Sequence, residues 1–215
     1  MKYTALIVAA GSGSRMGLGY NKMLYQFDNG KTILETTVDI FLNDQRCEQV
    51  VVVGSEQDIE QYQKLLINDR ITFTIGGKTR QESVYHGLLK TTMPYVLIHD
   101  GARPWLSMDC INRLLECLKE HDACLLMVPA KDTIKQVENG KVVKTLQRSL
   151  LWQAQTPQAF STELILKCHE LAIEKQFEAT DDAQLVEVCS DVDVHVVEGS
   201  YDNLKVTTIE DIRYN

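Results

Sequence analysis

The sequence predicts an α/β fold on a mostly parallel, twisted sheet, and three observations carry that expectation. Short β-branched runs recur along the chain, and amphipathic stretches of helical period separate them. The runs are apolar almost without interruption, as strands covered on both faces are. Such alternation implies right-handed crossovers, with ligands gathered beyond the carboxyl ends of the strands. With 215 residues and a 44% hydrophobic share, the chain has room for one sizeable core and reads as a single domain over 1–215.

In chain order, strands are expected at 4–9 (TALIVA), 49–53 (QVVVV), 71–75 (ITFTI), 95–99 (YVLIH) and 123–129 (ACLLMVP). Helices are expected near 32–43, 56–67, 79–91 and 107–121, with Ser55 and Ser107 placed as N-caps. The rhythm then breaks. TIKQV and VVKTL flank Glu138-Asn139-Gly140-Lys141, and Asn-Gly between β-like runs signals a hairpin. A projecting β-hairpin arm is expected at about 131–150. A two-stranded ribbon is marginal alone, so it either packs on another surface, such as a second subunit, or is an ordinary surface hairpin. A helix near 161–175, a short helix near 180–189, a strand in DVHVVEG and a final NLKVTTIEDI segment follow.

Composition excludes several classes. A net charge of −8 argues against nonspecific attraction to nucleic acid or an anionic membrane, so any phosphate must be caught locally. No basic stretch followed by a long apolar run opens the chain, and no eighteen consecutive apolar residues occur, so neither export nor membrane spanning is expected. Six cysteines are scattered without a C-x-x-C pair, which suits a reducing cytoplasm. The even spacing of Cys110, Cys117 and Cys124 suggests a metal cluster, but Cys124 falls in a strand, and buried thiols are the favoured reading.

The strand ends carry the chemistry. The first delivers Gly11-Ser12-Gly13-Ser14-Arg15-Met16-Gly17, where glycines let backbone N–H groups approach an anion. No G-K-[ST] follows at P-loop spacing, and the third glycine comes one residue late for a dinucleotide fingerprint. Arg15 adds bidentate phosphate recognition and Lys22 a second cation; taken alone, the stretch reads equally as a solvated loop with two surface cations. The third strand ends in Gly76-Gly77-Lys78-Thr79-Arg80, again glycines entering a helix. The fourth ends in His99-Asp100-Gly101-Ala102-Arg103. There Asp100 is placed to meet a hard divalent cation and a polyphosphate, or simply to pair with Arg103.

Taken together, AAGSGSRMG, GGKTRQESVYHGL, HDGARP, KDTIK, LWQAQTPQAF, TDDAQLVE and DNLKVT resemble the 2-C-methyl-D-erythritol 4-phosphate cytidylyltransferases of the non-mevalonate isoprenoid pathway, in the family's order along nearly the whole chain. The resemblance implies a Rossmann-like nucleotidyltransferase (glycosyltransferase-A-like) fold, and an arm exchanged across a homodimer. It implies attack by the phosphate of methylerythritol phosphate on the α-phosphorus of CTP, expelling pyrophosphate. A phosphomonoester is largely dianionic at neutral pH, so neither a general base nor a covalent enzyme nucleophile is needed, and structural roles suffice for the five histidines.

By the same resemblance, Arg15 and Lys22 stabilise the transition state and leaving group. Mg²⁺ bridges CTP oxygens with Asp100 as its direct or water-mediated partner. Ala9, Ala10, Gly11 and Gly13 belong to the CTP site, as do Gly76, Gly77, Ser83, Gly101 and Arg103; backbone groups around Ala9, Ala10 and Gly77, with the Ser83 hydroxyl, suit cytosine. Lys205 serves the acceptor phosphate from the same subunit, and Arg148 with Thr133 from the neighbour's arm. Arg103, Thr156 and Thr180 complete the acceptor pocket.

Three departures from the family pattern stand out. Asn21 replaces the usual proline before the loop lysine, which predicts a less rigid entry to Lys22. Gly101 stands where HDAARP has alanine, which adds backbone freedom. The chain stops soon after Asp211, so the closing helix is expected to be truncated or absent. Two other functions compete: a ribitol 5-phosphate cytidylyltransferase of teichoic-acid synthesis, and a nonenzymatic nucleotide-binding module. TDDAQLVE and RQESV favour the methylerythritol enzymes over the first. Arg15, Lys22, Asp100, Arg148 and Lys205 together argue against the second.

Overall fold

Residues 1–11 and 19–213 are described in the structure, a computed structural model of the chain. The β-branched runs form β1 (Tyr3–Ala9), β2 (Cys47–Gly54), β3 (Ile71–Ile75), β4 (Tyr95–Asp100) and β5 (Ala123–Pro129). With β8 (Trp152–Ser161) and β9 (His195–Glu198) they make a seven-stranded sheet in the order β3-β2-β1-β4-β8-β5-β9. β1 pairs in parallel with β2 and β4, β2 with β3, and β5 with β9; β8 runs antiparallel to β4 and β5.

Alternation along the strands assigns two apolar layers. Ala5, Ile7, Val50 and Val52 face α1 (Ile33–Leu42), α2 (Ile59–Leu65) and α4 (Met108–Cys117). Leu6, Val51, Val53 and Ile98 face α3 (Arg80–Leu88), α5 (Thr162–Glu174) and α6 (Asp182–Cys189). Local signals set the helix starts. Thr32 and Glu35 form a capping box on α1, and Ser107 accepts from the Cys110 N–H on α4. Ser55 does not cap α2. It accepts from the Asp58 N–H and closes a turn first, so the helix begins at Ile59.

β8 is absent from the sequence reading. Pro157 and a polar run disguise it, and the strand accommodates the proline where the β5 register shifts between Leu125 and Met127. β8 also explains the arm. β5 and β8 are partners, Pro129 standing opposite Trp152, and the arm is the excursion between them. It holds β6 (Lys135–Glu138) and β7 (Lys141–Thr145), which form their own two-stranded sheet. Asn139 and Gly140, with φ of 49° and 76°, supply the left-handed turn that their dipeptide forecasts. The arm therefore rises from the carboxyl end of β5, the edge on which parallel sheets carry their ligands. The closing segment makes no strand and ends in the four-residue α7 (Glu210–Arg213).

Candidate active site

The chain leaves β1 toward β2 and β3, then returns to lay β4 on the other side, so a crevice opens between the carboxyl ends of β1 and β4. A cavity of about 330 Å³ lies there. Ala9, Ala10 and Gly11 form its β1 wall. Opposite them, Gly77 and Ser83 are held by the start of α3, where Thr79 caps the helix through the Glu82 N–H. Ser83 Oγ accepts from the Gly77 N–H at 3.1 Å and donates to the Thr79 carbonyl at 2.9 Å. The hydroxyl expected to read a base thus also shapes the wall. Gly76 does not line the cavity; a Cβ there would stand 2.7 Å from both Ala10 Cβ and Ser83 Oγ, so only glycine lets the two walls approach.

Asp100 ends β4 at the centre of a cation cluster. Its Oδ2 is 2.8 Å from Lys205 Nζ and 3.6 Å from Arg103 Nε, while Oδ1 is 3.6 Å from Arg80 Nε. Burial opposes its ionisation, but Arg80, Lys205 and Arg103 outweigh burial and hold the carboxyl well below the usual range. The pairing of Asp100 with Arg103 is therefore one part of a larger cluster. Beneath it, Thr156 Oγ1 accepts from the Asp100 N–H and lies 3.0 Å from His99 Nδ1, while His99 Nε2 lies 3.1 Å from the Arg103 carbonyl. One tautomer satisfies all of these contacts: Nε2–H donates to the carbonyl, and the Thr156 hydroxyl donates to Nδ1. Burial lowers the His99 pKa to about 4, which keeps that ring neutral.

The DNLKVT segment is pinned on both sides of Lys205. Buried Asn203 donates to the Thr156 carbonyl at 2.8 Å, and its own carbonyl accepts from Arg103 Nη1. The Val206 N–H donates to the Ala102 carbonyl, and the Val206 carbonyl accepts from Lys22 Nζ at 2.7 Å. Lys22 and Lys205 thus reach one cavity from residues far apart in sequence.

Of the expected site residues, Ala9, Ala10, Gly11, Lys22, Gly77, Ser83, Asp100 and Lys205 come together around the cavity. Thr156, Gly101 and Arg103 lie in the layer that supports Asp100. The Gly101 N–H donates to the Val8 carbonyl, and its carbonyl accepts from Thr37 Oγ1, so that backbone is held at both ends. Thr180 is exposed and binds Gln184 at the start of α6. Thr133 and Arg148 are exposed on the arm, with Arg148 Nη1 on the Lys131 carbonyl, and neither lines the cavity of its own chain. Gly13 and Arg15 fall outside the described residues.

Two cations of the cavity lining were missed by sequence reasoning. Arg80 lines the cavity and spans from Asp100 to Asp182, donating to Asp182 Oδ2 at 2.8 Å. Lys78 lines it as well. Both stand in GGKTRQES, and glycines running into a helix start were the available signal. The Asn21 departure also reads differently in three dimensions: the side chain accepts from the Met23 N–H and donates to Gly11 and Asp58, so the entry to Lys22 is tied down rather than loosened.

A mostly parallel sheet helix-covered on both faces, with cations and one carboxylate at its switch-point crevice, is consistent with a Rossmann-like nucleotidyltransferase. The family model for 2-C-methyl-D-erythritol 4-phosphate cytidylyltransferase matches residues 3–214. The enzyme of that name from Bacillus cytotoxicus is 45% identical over 98% of this chain and 94% of its own length, and that from Halalkalibacterium halodurans 43% over 100% and 95%. Among solved structures, 2-C-methyl-D-erythritol 4-phosphate cytidylyltransferase from Francisella tularensis superposes with a TM-score of 0.86 at 34% identity, covering 100% of this chain and 98% of its own. A 4-diphosphocytidyl-2C-methyl-D-erythritol synthase from Anaerococcus prevotii gives 0.87 at 31%, covering 99% and 93%. The chain belongs to the 2-C-methyl-D-erythritol 4-phosphate cytidylyltransferase family, and is a nucleotidyltransferase of isoprenoid biosynthesis that transfers a cytidylyl group to 2-C-methyl-D-erythritol 4-phosphate.

Proposed function

We propose that the acceptor phosphate attacks the α-phosphorus of CTP in line, giving 4-diphosphocytidyl-2-C-methyl-D-erythritol and pyrophosphate without a covalent enzyme intermediate. The carrying observation is a local reversal of charge. In a chain of net charge −8, the described cavity lining holds Lys22, Lys78, Arg80 and Lys205 against one carboxylate, Asp100. That surplus suits two phosphorylated substrates and a leaving group that gathers negative charge. Lys22, with Arg15, stabilises the charge developing on pyrophosphate. Lys205 leaves its resting partner Asp100 to meet the acceptor phosphate. The Ala9, Ala10 and Gly77 backbone with Ser83 borders the base.

Asp100 is the hard oxygen donor present for Mg²⁺, and Oδ1 faces only Arg80 at 3.6 Å among its described ion-pair partners. Among the described residues, no three His, Cys, Asp or Glu side chains converge as a metal cage. This donor set fits an ion completed by substrate phosphates and water, which is Mg²⁺'s usual habit. When bound, the ion would neutralise phosphate charge beside Asp100.

The arm supports a homodimer. Val137, Val142 and Val143 are 56%, 63% and 55% exposed on a ribbon that cannot cover them itself. A second copy docked there would bury them and would receive Arg148 and Thr133 at its acceptor pocket, with Arg103, Thr156 and Thr180 behind it. No described helix is long and apolar enough to cross a membrane. The scattered thiols favour residence in the reducing cytoplasm.

The test is pyrophosphate release from CTP with methylerythritol phosphate or ribitol 5-phosphate, with Mg²⁺ or a chelator. Turnover that needs the metal and is fastest with methylerythritol phosphate is expected. A higher kcat/KM with ribitol 5-phosphate would transfer the assignment to teichoic-acid synthesis, and binding of CTP without turnover of either acceptor would make the chain a binding module.

A further inference from the structure

We infer that Asn21 is a positioning residue for the transfer reaction, a polar latch that ties Gly11 and the approach to Lys22 onto the end of β2. Its side chain is almost fully buried and its hydrogen-bonding capacity is heavily used. Nδ2 donates to the Gly11 carbonyl at 3.0 Å and to Asp58 Oδ2 at 2.7 Å, while Oδ1 accepts from the Met23 N–H at 3.1 Å. Only this orientation of the amide sets donors on the two oxygens and an acceptor on the N–H. The Asp58 carboxylate is itself anchored. Ser55 Oγ donates to Asp58 Oδ2 at 2.6 Å and accepts from the Asp58 N–H at 3.1 Å, and Ser55 directly follows the last residue of β2. A run of hydrogen bonds therefore joins Ser55, the residue after β2, to Gly11 and to the Met23 N–H, and Gly11, Lys22 and Met23 all line the cavity.

The latch has a recognisable backbone purpose. Asn21 has φ −66° and ψ 129° and caps the 3-10 turn Lys22–Leu24 that aims the lysine. A proline ring fixes φ at that value by covalent geometry. Here three side-chain hydrogen bonds, one of them charge-assisted, hold the same conformation. A bare methyl at position 21 would remove these three ties and let the turn that carries Lys22 shift, although Lys22 Nζ keeps the Val206 carbonyl. For a group that stabilises charge only in the transition state, such displacement lowers kcat more than substrate affinity.

This inference rests on the cytidylyl-transfer reading above, and the experiment separates the two. Steady-state kcat and KM for CTP and methylerythritol phosphate would be measured for wild type, Asn21→Ala, Asn21→Pro, Asp58→Ala and Asn21→Pro/Asp58→Ala, with the thermal midpoint of each. Asn21→Ala is expected to lose about tenfold in kcat with little change in acceptor KM, the scale of a small misplacement. Asn21→Pro should recover most of that loss, because the ring supplies the φ angle without the side chain. Asp58→Ala should lower kcat by roughly threefold or more beside Asn21 and have almost no effect beside proline, since its described hydrogen bond to position 21 is then gone. If Asn21→Ala does not fold, the two Asp58→Ala comparisons decide the matter alone. A wild-type kcat in Asn21→Ala, or an equal Asp58→Ala effect in both backgrounds, overturns this inference and leaves the transfer reading intact. Wild-type protein that releases no pyrophosphate overturns both.

Discussion

Lys22 is 8% exposed, yet it lies on the cavity wall with Nζ on a backbone carbonyl. An ammonium held in that way is preorganised: it need not be desolvated or moved far when charge builds on the leaving group. Lys22→Ala, and on the family resemblance alone Arg15→Ala, should lower kcat by about a hundredfold or more while CTP still binds. Near wild-type turnover in either variant would remove it from the chemistry. Buried titratable groups make a second residue-scale prediction. His99 and His169 are fully buried, and burial lowers each pKa to about 4 from an ordinary value of 6.5. Between those limits the unfolded chain binds protons that the folded chain refuses, so their contribution is complete above 6.5 and is lost as pH falls toward 4. Asp100, held low by its cations, begins to lose its contribution only as the pH reaches the ordinary carboxylate value, at the bottom of this window, so the histidines dominate the upper part of it. The urea midpoint should therefore fall as pH is lowered from 6.5 to 4. His169 stacks on Tyr85, and His169→Phe keeps a ring there while removing the titration. A slope unchanged by that substitution would refute the assignment.

At the scale of elements, periodicity and turn chemistry carried far. β3 and β5 fall on 71–75 and 123–129 as read, and the Asn139-Gly140 hairpin forms where its dipeptide points, because these signals are local. What escaped notice depends on residues distant in sequence. β8 is a strand because β4 and β5 accept its ladder on either side, while its own proline argues otherwise. Arg80 faces the site because Asp182 and Asp100 draw the guanidinium from opposite sides, and neither partner is a sequence neighbour. Asn21 reads as a lost proline until Asp58 and Gly11 are seen beside it. Strand-end glycines and charges located the cavity, whereas the order of the cations within it is a product of tertiary packing. The arm joins the two levels. As the excursion of a β5–β8 pair, it inherits its position from the sheet and emerges at the ligand-bearing edge, although its valines stay exposed among the described residues of one chain.

For the whole molecule, the question is whether one chain makes a complete site. Arg148 and Thr133 do not line their own cavity, while the cavity has the loop-side lysine and Lys205 ready. If the arm docks on a second subunit under twofold symmetry, each site takes its phosphate loop from one chain and its Arg148 from the other. Two inactive variants should then complement each other. Mixing Arg148→Ala chains with Lys22→Ala chains, and letting them exchange, forms dimers in which one site joins the intact loop of the first to the intact arm of the second. The other site of the same dimer carries both defects. Random reassortment makes about half of the dimers mixed, each with one working site, so activity should approach about a quarter of wild type. Recovery should follow the kinetics of subunit exchange and disappear when exchange is blocked by covalent cross-linking of each parent dimer beforehand. Heterodimers verified by mass and still as inactive as their parents would mean that Arg148 acts within its own chain or not at all, and that the arm serves assembly alone.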